Sequence, residues 1–323
     1  MMTSRELVKN AIGFKGIDRL PHEFPAPYGN DYAWLDMTPS PDDRVLTGKD
    51  DWGIEWRHEG HGQYADAAQA HVLSDWSQLA TLRIPDVREP RRWVNYDGAR
   101  ERAGDKFLIA HGFSIYERLH MLRGIENLWL DVYDCPENVE KLINIIMEMN
   151  LYAIERCAKA GVDGFASNDD WGVQDRLMIA PELWRQIWKP HYARLFRATH
   201  DAGLITILHS CGYIVDILDD LIEIGLDVIH MDQQENMGLE NLGARFGGRI
   251  TFFSPVDIQK TMVTGSPDDI RRYCRQMVKY LGRPNGGLLP RKYADHVSAG
   301  HRQDAIDVMC SEFLKISREQ YGA

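Results

Sequence analysis

From residue 105 onward, short apolar runs alternate with longer stretches of helical period. That alternation predicts parallel βαβ units and excludes an all-α or all-β fold. The predicted strands are Phe107 to His111, Val162 to Ser167, Leu204 to Leu208, Val228 to Met231, Ile250 to Phe253 and Gly287 to Leu289. Predicted helices span Pro136 to Ala160, Pro181 to Ala202, Ile214 to Gly225, Pro267 to Leu281 and Gln303 to Ser317. Several open on proline and close on glycine, the asymmetry expected of helix ends. Upstream, Leu7, Val8, Ala11 and Ile12 fall on one face of a first helix with Ser4 as its N-cap. Arg19 to Phe24 reads as a first strand, and 25–92 as an elaborated loop with a small hairpin around Trp52–Trp56, covering one mouth. Seven strands are one short of a closed eight-stranded barrel, and the eighth falls to the irregular segment. The expected architecture is a single (β/α)8 TIM-type barrel over 1–323, with an N-terminal helix and an elaborated first loop. An open doubly wound sheet fits the count too, but no G-x-G-x-x-G follows the first strand to support a dinucleotide site.

Composition narrows the function classes. With 37 basic against 48 acidic residues and a net charge of −11, the surface repels a phosphate backbone, so nucleic acid is not an expected partner. No apolar run reaches the length of a membrane helix and the start has no secretory pattern, which predicts a cytoplasmic protein. The five cysteines are widely spaced and form no C-x-x-C pair, as suits a reducing compartment.

In such a barrel the chemistry sits at the C-terminal ends of the strands. His209 and Cys211 follow the strand Leu204–Leu208 and point the same way. Imidazole and thiolate at that spacing suit zinc. The alternative is a capping histidine beside a small buried cysteine. Asp169 and Asp170 follow the preceding strand, Val162–Ser167, as candidate catalytic carboxylates, ligand, base or clamp, or else one caps the following helix. Trp171 and Gln174 in the same loop, His111 and Tyr116 after the strand Phe107–His111, and Lys292 late in the chain complete a candidate substrate-binding set. Arg291 and Lys292 could hold a carboxylate or phosphate, or be a solvated pair; Tyr293 beside them is a further catalytic candidate.

Four segments together resemble the uroporphyrinogen decarboxylase superfamily over about residues 3 to 315. They are Ser4-Arg5-Glu6-Leu7-Val8 with Asp18-Arg19-Leu20-Pro21; Asp169-Asp170-Trp171-Gly172-x-Gln174; Leu208-His209-Ser210-Cys211-Gly212; and Ile222-Glu223-Ile224-Gly225-Leu226-Asp227-Val228. The resemblance is nearest to the zinc-dependent, corrinoid-linked methyltransferase branch, and it implies a (β/α)8 barrel with zinc at His209 and Cys211. The decarboxylases resemble one another in an arginine-rich stretch after the first strand, whereas Pro21 through Asp43 here contains no arginine. Thiol-methylating members usually place another cysteine at the end of the late strand, where this chain has Arg291-Lys292-Tyr293. A third ligand is therefore open among Asp170, Glu23, Asp232, Tyr293 and His296. The expected reaction moves a methyl group between a small methoxy or methylamine-type donor and a corrinoid (cobalamin), carried by a partner corrinoid protein. The alternative is metal-independent decarboxylation of uroporphyrinogen or a related polycarboxylate. The first helix and the irregular segment could also form a homodimer surface.

Overall fold

The computed structural model describes residues 1–39, 48–57, 66–67 and 71–322. Seven parallel strands form one curled sheet: β1 (Tyr32–Leu35), β2 (Phe107–His111), β3 (Gly164–Asn168), β4 (Ile205–His209), β5 (Val228–His230), β6 (Thr251–Ser254) and β7 (Leu288–Pro290). They lie side by side in chain order with helices between them, an α/β architecture consistent with a TIM-like barrel. The curl is visible in the interior, where Tyr32 of β1 stacks on Phe253 of β6 with ring centroids 5.2 Å apart.

Six of the predicted strands stand within two residues of their expected bounds. The first does not. The segment Arg19 to Phe24 forms no strand; only Glu23 bridges, parallel to Arg291 and antiparallel to Asn30. Pro21, Pro25 and Pro27 lack the N–H groups a ladder requires, which limits pairing here to one residue. Tyr32–Leu35, read as irregular in the sequence, is the strand that pairs with β2. The helix expected from Pro181 to Ala202 is two helices, Pro181–Ile187 and Lys189–Asp201, because Pro190 starts a new helix in its first turn. Of the segment 25–92, residues 40–47, 58–65 and 68–70 lie outside the described residues. Its hairpin is a three-stranded antiparallel sheet of Gly48–Lys49, Glu55–Arg57 and Asp66–Ala67. Asp50 anchors it, accepting from the Trp52 and Ile54 amides, the Trp56 indole and Arg118.

The N-terminal helix, Ser4–Ile12, is capped one residue earlier than expected, by Thr3, in a reciprocal pair with Glu6. Val8, Ala11 and Ile12 pack into the inner cluster of Tyr32, Phe107, Ile109, Ala166, Ile207, Val228, Phe253 and Leu289. Arg5 and Lys9 each reach Asp163, just ahead of β3, at 2.7 Å. The helix thus covers the N-terminal end of the sheet, leaving the opposite end for chemistry. Among the described residues no helix is long and apolar enough to cross a membrane.

Candidate metal centre at the C-terminal mouth

Inward-facing positions on each strand continue by twos into the loops, so strand parity selects the side chains of the mouth. Asn168, His209 and His230 are register neighbours across β3, β4 and β5. Two residues further along each chain stand Asp170, Cys211 and Asp232. Asp170, His209 and Cys211 bring a carboxylate oxygen, an imidazole nitrogen and a sulfur within 4.8 Å of one another. His209 Nε2 lies 3.3 Å from Cys211 Sγ and 3.4 Å from Asp170 Oδ1. Tetrahedral zinc with bonds of about 2.0 to 2.3 Å has ligand-to-ligand edges of roughly 3.3 to 3.8 Å. The donor set and both spacings fit a zinc ion.

The two adjacent aspartates divide. Asp169 is fully buried and its carboxylate accepts from the Ile115 amide (3.1 Å), the Glu117 amide (2.8 Å) and the Tyr192 hydroxyl (2.6 Å). It caps the helix Tyr116–Arg123. Asp170 turns the other way, toward His209, and is steadied by the Cys211 amide, which donates to Oδ1 at 2.7 Å. The loops after β3 and β4 approach this closely because both carry glycine. A Cβ on Gly172 would stand 2.3 Å from the Tyr213 nitrogen, and one on Gly212, at φ +75°, 2.1 Å from the Gly172 carbonyl oxygen.

Beside the triangle, His230 lies with its ring 4.4 Å from that of His209 and its Nε2 3.6 Å from Asp232 Oδ1. Arg291 at the end of β7 also contacts His230, lies over the Phe253 ring at 5.0 Å and is 3.3 Å from Glu23. Burial first, then the charge of Arg291, holds the His230 imidazole well below its ordinary range, so it is a neutral base or ligand. The Cys211 thiol is pushed upward by burial and then by the Asp170 and Asp232 carboxylates. Asp232 Oδ1 is buried and has no hydrogen-bond partner among the described residues. Negative groups that oppose a bare thiolate are the surroundings a divalent cation favours. Across the mouth, Trp34 stacks on His111 (centroids 4.7 Å, 12° between planes), and His111 Nδ1 is 2.7 Å from Asp36.

The other candidates lie outside the donor triangle. Tyr116 and Trp171 are fully buried and stacked at 4.3 Å in an aromatic cluster with Trp188 and Tyr192, behind the mouth rather than on it. Gln174 is exposed, donating to Asn236 and Gln259 at 2.9 Å. Lys292 contacts His296 at 2.9 Å, and the Tyr293 ring lies 5.7 Å from that of His301. His230, Trp34 and Asp36 were missed. The signal for His230 was present, since it shares a face with Val228 in a predicted strand and with Asp232 just beyond it; Trp34 lies in, and Asp36 directly after, a strand that the sequence pattern hid.

Residues 102–289 match the family model for uroporphyrinogen decarboxylase (URO-D). In fold, the chain is similar over 100% of its length to 100% of a methyltransferase from Methanosarcina mazei, with a TM-score of 0.70 and 14% identity. More distant likenesses include 3-keto-D-glucoside 4-epimerase from E. coli (TM-score 0.43, 14% identity, 67% of this chain and 84% of that one). Another is D-psicose 3-epimerase from Clostridium cellulolyticum H10 (TM-score 0.42, 12% identity, 76% and 87%). No curated protein sequence matches the chain. With more than half of its length matched by that family model, this chain belongs to the uroporphyrinogen decarboxylase family.

Proposed function

We propose that this protein is a zinc-dependent methyltransferase that moves a methyl group between a small methylated donor, methoxy or methylamine in type, and a corrinoid carried by a partner protein. The observation that carries the reading is the triangle of Asp170, His209 and Cys211 at the C-terminal mouth. Asp170 is the third ligand in this reading, taking the place that a late-strand cysteine fills in thiol-methylating members, while Arg291 occupies that strand end. Bound there, zinc would supply a Lewis acid that polarises the donor's heteroatom. The Cys211 amide orients Asp170 toward the metal, and neutral His230, whose Nε2 meets Arg291, adds no charge of its own beside it. Trp34 and His111 form a flat wall against which a methylated substrate can lie.

The mouth also argues against a polycarboxylate. Glu23, Asp36, Asp170 and Asp232 gather there, and among the described residues Arg291, beside His230, is already opposite Glu23. A substrate with several carboxylates would meet repulsion rather than a clamp. We take the sheet to close as a (β/α)8 barrel through Glu23, which joins β7 to the start of β1.

Metal analysis of purified wild type, Cys211→Ala and Asp170→Asn tests the reading. We expect about one zinc per chain in wild type, and loss of zinc from Cys211→Ala together with loss of methyl transfer to cobalamin. Wild-type protein that is fully active without metal would overturn it.

A further inference from the structure

Next to the metal triangle, on the neighbouring strand, the mouth holds a second arrangement made of side chains outside that donor set. His111 ends β2 with Nδ1 2.7 Å from Asp36 Oδ1, and its ring lies nearly parallel to Trp34 at 4.7 Å. Trp34 is fixed in turn, its indole N–H donating to Glu23 Oε1 at 2.5 Å. A hydrogen bond and a stacking contact together set the tautomer and tilt of the imidazole. The carboxylate holds the Nδ1 proton, which directs proton exchange to Nε2. The pair is open to water, with 25% of the His111 side chain and 45% of that of Asp36 exposed, so a spent proton can be replaced from solvent. His111 pairs in register with Ala166, which pairs with Ile207, two residues before His209. It therefore stands one inward-facing layer from the metal triangle.

What such a pair can do depends on the donor, so this inference rests on the methyl-transfer reading. A methylated ammonium departs as a neutral amine and needs no proton. The oxygen of a methyl ether departs with the electron pair of the broken bond and must be protonated. We propose that His111, positioned by Asp36, is the acid that protonates the departing oxygen, and that the donor is accordingly a methyl ether rather than a methylated amine. In that step the methyl C–O bond breaks and a carbon–cobalt bond forms with a Co(I) corrinoid, the acceptor substrate. The cobalt electron pair goes to carbon, taking the metal to Co(III). The C–O pair stays on oxygen, which takes the proton from His111 Nε2 and leaves as an alcohol or phenol. Asp36 is a positioning residue; it touches the imidazole and not the donor.

The test uses the zinc-loaded enzyme, cob(I)alamin as acceptor, and two donor types: phenyl methyl ethers whose ring substituents run from nitro to methyl, and tetramethylammonium. Loss of the Co(I) absorption gives the rate. Wild type should demethylate all the ethers at similar rates and leave tetramethylammonium untouched. His111→Gln should lose about 10²-fold or more on the poorest leaving groups and stay within about threefold on the nitrophenyl ether. Asp36→Asn, at a partly exposed position, should show the same trend with smaller losses. Both variants should keep zinc and thermal midpoint, and the solvent deuterium isotope effect of wild type on the methylphenyl ether should vanish in His111→Gln. An equal loss on every ether, or none, overturns the role of His111. Wild type that demethylates tetramethylammonium and spares the ethers overturns the donor class while leaving the methyl-transfer reading intact. Transfer from neither type by zinc-loaded wild type overturns both.

Discussion

Asp169 and Asp170 are neighbours in the chain with opposite destinies, decided by which backbone donors lie within reach. Asp169 is consumed by two amides and a hydroxyl, whereas Asp170 is left facing an imidazole and a thiol. Cys211 sets the acid limit of that group. Burial and the Asp170 and Asp232 carboxylates push its thiol above the ordinary range, so without metal the sulfur keeps its proton at neutral pH. A cation has to displace that proton, so binding releases it and affinity rises with pH. Zinc affinity should weaken about tenfold for each unit of acidification. Competition with a chelator at several pH values reads this directly, and a flat profile would mean that sulfur is not a ligand.

Between elements, the decisive feature is the contact of the two loops that carry the proposed ligands Asp170 and Cys211. Gly172 and Gly212 let those loops touch backbone to backbone, and the Asp170–Cys211 hydrogen bond spans the same contact. A methyl group on Gly212 would overlap the Gly172 carbonyl in a backbone conformation that side chains already disfavour. Gly212→Ala should therefore destabilise the fold by about 2 to 3 kcal/mol and lower zinc affinity at least about tenfold, because the ligands separate. Denaturant unfolding and zinc titration give the two numbers; unchanged zinc affinity would place the ligands' support elsewhere.

Across the whole molecule, the N-terminal helix and the sheet are held together at Asp163. Its carboxylate, with no exposed side-chain surface, is met by Arg5, Lys9 and Arg100, each at 2.7 Å. Burial alone would raise its pKa, but hydrogen bonds from Lys9, the Leu108 amide and Arg5 outweigh it and hold the carboxyl below the usual range. A depressed carboxyl contributes stability that is present above its unfolded pKa and is lost as pH falls through the folded one. Asp163→Asn should lower stability by about 3 kcal/mol at neutral pH, and the gap from wild type should close below about pH 4. Chemical denaturation at pH 7 and in acid checks it; a gap that persists unchanged in acid would rule out the charge as its cause.

Strand-then-helix alternation is a local property, so six strands, the long helices and the family segments could be read directly from residue order. His209 and Cys211 were legible for the same reason: they follow one strand at a spacing of two, and alternation requires them to share a face. Which carboxylates stand near His209 was not legible: Asp170 meets it together with Cys211, and Asp232 together with His230, through distances between loops far apart in the chain. Tyr116 and Trp171 read as site residues since they adjoin strand ends, yet packing turned both into a buried aromatic cluster. The N-terminal region was the least readable. Its prolines reduced an apparent strand to one bridging residue and left Tyr32–Leu35, which shows no clear period, to line the mouth with Trp34 and Asp36. Short-range periodicity records which way a side chain faces; which side chains meet is settled by the curl of the sheet, which brings residues from remote parts of the chain to one opening.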